Sequence, residues 1–138
     1  MTAPARRERL KFLEFDFDRL PNGRYRARVV LEGDPGAHFE GTAEGLGSAA
    51  AELRCAAEAA AEALRGVVEE KLEFELLGVK AVRAFDSTVV IVALSCHDGV
   101  RAVRLVGSCL TEETPHRCAA LAVLSATNRF LGNVIFTR

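Results

Sequence analysis

Three of the four cysteines and two of the three histidines lie in one stretch, as Cys96-His97, Cys109 and His116-x-Cys118. Thiolate and imidazole are common zinc ligands, and a cysteine beside a histidine can make a nucleophile–base pair. The spacing argues against both. No Cys-x-x-Cys pair, typical of structural zinc, is present. If Asp98-Gly99 is a two-residue hairpin turn, Cys96 lies opposite Arg101 and Cys109 lies near Thr88, roughly 25 Å away at ~3.3 Å per strand residue. A Cys96–Cys109 disulfide fails on the same distance. His116 and Cys118, two apart on a helix, point away from each other. Cys55 and Cys118 therefore read as core residues, and neither a metal site nor a cofactor is assigned.

The remaining polar groups also favour bland roles. Gly41, Gly45 and Gly47 do not form a phosphate loop, because Gly45-Leu46-Gly47-Ser48 lacks the lysine of that motif. Glu52, Glu58, Glu62, Glu69 and Glu70, with Arg65, read as the wet face of a helix. His38 starts a strand beside a turn and reads as solvated. Arg24, Arg26 and Arg28 read as a solvated strand face, with no interleaved aromatics on which bases could stack. The net charge of -1 gives no general attraction to nucleic acid. No nucleophile–base pair or carboxylate dyad remains, so no catalytic residue is assigned and the chain reads as a binding or regulatory module rather than an enzyme.

The elements that must position these residues come from a chain of 138 residues, 49% hydrophobic and 27% charged, which suits one globular domain. No apolar run approaches the roughly 20 residues of a membrane span. The segment after the N-terminus alternates with Glu and Asp, unlike a signal peptide, so a cytoplasmic protein without membrane contact is expected. The expected organisation is a flexible N-terminus over 1–8, one domain over 9–132 and a tail over 133–138.

The domain contains a repeat. Arg54-Cys55-Ala56-Ala57 recurs as Arg117-Cys118-Ala119-Ala120, an offset of 63 residues. The same offset lays Ala27–Leu31 over Val90–Leu94 and Gly36 over Gly99. Repeat one then covers about 9–70 and repeat two about 71–132. In the first, strands are expected over 9–17, 24–32 and 38–44, with turns at Leu20-Pro21-Asn22-Gly23 and Asp34-Pro35-Gly36. A helix of about 20 residues follows Gly47-Ser48. In the second, strands are expected over 72–85, 88–96 and 100–109, with a bulge at Leu77-Gly78. Thr114-Pro115 then starts a helix that stops near Gly132. The order is β-β-β-α twice, an α+β fold with helices packed on one face of antiparallel sheet. One detail resists: the offset matches Val103 and Leu105 to Glu40 and Thr42, whereas alternation groups Phe39, Gly41 and Ala43.

The strand faces separate the copies. Tyr25, Ala27, Val29 and Leu31 share a side, as do Val90, Val92 and Leu94, and these sides should face the helices. The opposite side is basic in the first copy but apolar in the second, at Val89, Ile91 and Ala93. The second helix, Cys118 to Ala126, has no polar stripe. A homodimer is expected, with Val89, Ile91, Ala93, Leu121 and Leu124 at the interface. Mutual cover of the two copies within one chain is the alternative.

Two tandem β-β-β-α units, the second ending in Ala126-Thr127-Asn128-Arg129-Phe130-Leu131, resemble the C-terminal regulatory domain of α-isopropylmalate synthase and citramalate synthase, over about residues 9–132. The resemblance implies a dimer that binds an amino acid near its interface, where the strand-to-helix loops meet; a 2-oxo acid is the other small molecule considered as a ligand. The matching positions are Gly45, Gly47 and Ser48 in the first copy and Gly107 and Ser108 in the second. Glycine would let the backbone approach a ligand, and helix N-terminal N–H groups suit a carboxylate. The second loop, from Thr111 to Cys118, departs from that family's acidic pattern. The synthase barrel is absent, so synthase activity is not implied. A protein-interaction scaffold of the roadblock or longin kind is the alternative function.

Overall fold

The computed structural model describes residues 10–33, 36–67, 72–97, 99–111, 114–130 and 135–136. Strands β1 (Leu10–Arg19), β2 (Arg24–Gly33) and β3 (Ala37–Leu46) lead into helix α1 (Ala49–Val67). The order returns as β4 (Glu73–Ala84), β5 (Ser87–His97), β6 (Ala102–Thr111) and helix α2 (Pro115–Phe130). The expected α+β repeat is therefore present, as two antiparallel sheets, one per copy. Within the stretch read as a tail, Ile135–Phe136 forms β7, parallel to β1 at the edge of the first sheet. The turn residues Asp34, Pro35 and Asp98, and the expected stop at Gly132, lie outside the described residues.

Local chemistry accounts for the boundaries. β2 alternates strictly at its start, and Tyr25, Ala27, Val29 and Leu31 are all buried on one side. The Ser48 carbonyl accepts the Glu52 N–H at 3.0 Å, and its hydroxyl accepts the Ala51 N–H at 3.4 Å, so Ser48 caps α1. Thr114 does the first of these for α2 by accepting the Cys118 N–H at 3.4 Å. The expected bulge in β4 is present, between Leu76 and Gly78.

Each helix lies over the middle and third strands of its own sheet and reaches across to the first strand of the other copy. Helix α1 thereby meets β4, where Arg54 and Arg65 donate to the Leu76 and Phe74 carbonyls at 3.1 and 2.6 Å. Helix α2 meets β1, and the helices pack on each other. The core lies between the two sheets: Leu31, Leu64, Val92, Leu94, Val123 and Leu124 are all fully buried. The apolar α2 is thus covered within one chain, and Leu124, expected at a subunit interface, lies in that core. Leu121 is half-buried.

The register resolves the resisting detail. Val29 pairs with Gly41 and Val92 with Gly107, so Gly41 corresponds to Gly107, Phe39 to Leu105 and Ala43 to Cys109. The second hairpin is three residues longer, and α2 starts three residues later relative to the 63-residue offset. The stretch from the third-strand glycine to the helix cysteine is three residues shorter in the second copy, which restores the offset within the helices. The β5–β6 hairpin is also not the expected two-residue turn: His97 pairs with Ala102, Cys96 with Val103 and Cys109 with Val90.

Candidate functional site

The two helix starts converge at one end of the molecule. Glu52 stands in the first turn of α1, where a carboxylate suits the helix dipole. Its Oε1 lies 2.8 Å from Nε2 of His116, in the first turn of α2. Arg19, at the end of β1, grips the same carboxylate with both terminal nitrogens at 3.0 Å. Arg19 is 67% exposed, whereas Glu52 and His116 retain 14% and 20% of their side-chain surface. The Arg19 guanidinium, and after it His116, holds the Glu52 carboxyl below its ordinary range against the opposing pull of burial. Glu52 is therefore no part of a wet face, a correction to the periodicity reading.

Aromatic rings floor this junction. Phe17 of β1 stacks on His116 with centroids 4.2 Å apart and on Tyr25 at 5.6 Å. The Tyr25 side chain is buried, and among the described residues its hydroxyl has no hydrogen-bond partner. Burial pushes the Tyr25 phenol up, and the Cys55 and Glu52 charges add to that. Gly45 backs directly onto the Tyr25 ring: a Cβ there would stand 2.6 Å from Cε1 and 3.3 Å from the hydroxyl oxygen.

Gly45, Gly47 and Ser48 thus belong to this end of the molecule, beside Tyr25 and Glu52. Gly47 takes a left-handed φ of 125° as the chain enters α1. Gly107 and Ser108 do not join them. Both lie inside β6, opposite Val92 and Ile91, and their first-copy counterparts are Gly41 and Thr42 rather than Gly47 and Ser48. Gly107 serves helix packing, since a Cβ there would fall on the Ala122 carbonyl oxygen of α2, as one at Gly41 would fall on that of Ala59.

The cysteines are placed differently from expectation. Cys109 and Cys118 form a disulfide with a Cα–Cα separation of 5.4 Å, joining β6 to α2. Cys118 is not simply core filler; the 63-residue offset aligns Cys109 with Leu46, whereas the register makes Ala43 its counterpart, beside the helix position of Cys55 and Cys118. Cys55 and Cys96 are buried, and burial pushes the Cys55 thiol up. Among the described residues no group of three or more His, Cys, Asp or Glu is arranged to hold a metal ion.

The outer sheet faces carry opposite chemistry. On the first sheet Arg28 pairs with Glu40, with Asp16 at 3.0 Å and with Glu14 at 3.7 Å. Arg24 pairs with Glu44 at 3.4 Å, and His38 lies 3.1 Å from Glu32. On the second sheet Val89 sits between Val82 and Leu110, and Ala93 lies opposite Val106, with Ile91 between these rows. Val106 and Leu110 are 69% and 57% exposed. A separate open cleft of about 860 Å³ lies near the end of α1, lined by Arg65, Glu73, Glu75, Ser95 and His97. Among the described residues no helix is long and apolar enough to cross a membrane.

Fold and site together describe an α+β domain of two repeated units whose helix starts meet over a buried tyrosine. No protein-family model matches the chain, and no curated protein matches it in sequence.

Proposed function

We propose that the chain is a non-catalytic, cytoplasmic regulatory domain that binds a small ligand as a homodimer, the ligand and the dimer being what its resemblance to the isopropylmalate synthase regulatory domain implies. The observation that carries the ligand reading is the meeting of both helix starts at Glu52 and His116, beside a buried Tyr25 hydroxyl that lacks a partner among the described residues. Helix N-terminal N–H groups beyond Ser48 suit a carboxylate, and Glu52 suits an ammonium group. An α-amino acid carries both, whereas a 2-oxo acid carries only the first.

A thermal-shift panel of amino acids and 2-oxo acids tests this. A ligand at a hundred times its dissociation constant stabilises by about 2.7 kcal/mol, several degrees in a domain of this size. Glu52→Gln should remove the response to an amino acid. A panel that leaves the melting temperature unchanged overturns the reading.

The apolar outer face of the second sheet supports the dimer. Phe85, at the tip of the β4–β5 hairpin, is 88% exposed and holds a left-handed φ of 55°, an uncommon conformation for a bulky residue. Exposed apolar groups in a contiguous patch mark interaction surfaces. Ile91→Glu places a charge at the centre of this face and should convert a dimer to a monomer in light-scattering chromatography. A wild-type protein that is already monomeric at high concentration removes the dimer, and the same face then favours the second reading, a scaffold for another protein.

A further inference from the structure

The repeat supplies an internal control for the disulfide. Cys55 is the first-copy counterpart of Cys118, and Ala43 is that of Cys109. There no bond joins strand to helix; the Cys55 thiol donates to the Ala43 carbonyl oxygen at 3.2 Å. The helix still packs on its strand through Gly41, as α2 does through Gly107. The unit thus folds with a thiol at this position.

In the second copy Cys118 is buried, but Cys109 can be reached. Cys109 is half-buried on β6, an edge strand. With Cys118 it lines a cavity of about 160 Å³, together with Leu110, Thr111, Thr114 and Arg117. Cys118 lies in the first turn of α2, facing Cys109 across the strand–helix contact.

We infer that Cys109–Cys118 is a reversible thiol–disulfide pair, open to exchange with small-molecule thiols while the domain stays folded. An incoming thiolate attacks Sγ of Cys109, forming a mixed disulfide and breaking the Cys109–Cys118 bond. Cys118 leaves as a thiolate and takes up a proton. A second thiol attacks the mixed disulfide, leaving Cys109 reduced and the two small thiols joined as their own disulfide. Two electrons pass from the small thiols to the protein. In the reduced form the Cys118 thiol donates to the Cys109 carbonyl, as Cys55 does to that of Ala43.

The test equilibrates the native protein with reduced and oxidised glutathione over a wide range of ratios. Samples are then quenched in acid, denatured, and labelled with a maleimide for intact mass. The expected result is a reversible step from two labels, on Cys55 and Cys96, to four, with an unchanged far-ultraviolet circular dichroism spectrum throughout. Four labels at every ratio would show that no disulfide forms, and two labels even in excess dithiothreitol would show a fixed cross-link; either overturns the inference. So does loss of the folded spectrum on reduction. Cys109→Ala, which recreates the first-copy arrangement, should stay folded with three labels at every ratio, and an unfolded variant would count against the inference.

Discussion

Replacing Gly107 with valine is expected to destabilise the domain by about 3 kcal/mol, the upper end for overpacking, because the added atoms meet backbone rather than a yielding side chain. A Cβ at this position falls on the Ala122 carbonyl oxygen and stands 2.6 Å from the Ala126 nitrogen. Helix α2 can accommodate it only by lifting from β5 and β6 and opening the core around Val92 and Val123. Gly41→Val should have a similar effect through Ala59 and Ala63 of α1. Since the whole stability of a small domain is about 5–15 kcal/mol, either change removes a large part of it. Ser108→Ala, one residue away and exposed on the opposite face, should stay within about 0.5 kcal/mol. Urea midpoints of the three variants check this, and a Gly107→Val midpoint equal to wild type would refute the close approach.

Glu52→Ala should cost about 2 kcal/mol, from the loss of charge-assisted hydrogen bonds to Arg19 and His116. Its pH dependence is the sharper test. Arg19 and then His116 lower the Glu52 pKa from its ordinary value of 4.5. On acidification the unfolded chain therefore takes up the Glu52 proton first. The resulting stability is fully present above about pH 4.5 and is lost as the pH falls through the folded-state value. Wild type should lose stability over that acid range more steeply than Glu52→Gln, whose side chain does not titrate. Parallel curves for the two proteins would mean that the junction carries no charge-dependent stability.

What the sequence made legible, and what it hid, follows from the range of each interaction. Period-two alternation is local, so the buried side of β2 and its apolar counterpart on β5 were readable directly. The ungapped offset of 63 tied Val29 to Val92 and Cys55 to Cys118, and with them the repeat. The third strands were hidden, because a three-residue insertion in one hairpin is undone at the following helix start. Without that register, Gly107 read as part of a ligand loop rather than a packing position, and Cys109 was never set against Cys118. The Glu52–His116 contact joins two helix starts 64 residues apart. It depends on how each helix crosses to the other copy's first strand, which no spacing within either repeat encodes.

The contrast between the outer faces bears on how far assembly can go. The first sheet meets water with Arg28 and Arg24 already matched to carboxylates of neighbouring strands, so a second molecule gains little there. The second sheet presents Ile91, Val106 and Leu110. A body with one adhesive side, joined to a twin about a two-fold axis, consumes that side completely, and growth ends at two copies. Had duplication left both sheets apolar, the same contact could have repeated from molecule to molecule without a terminus. For the proposed dimer, the difference between the two halves would act as a stop against stacking into fibres.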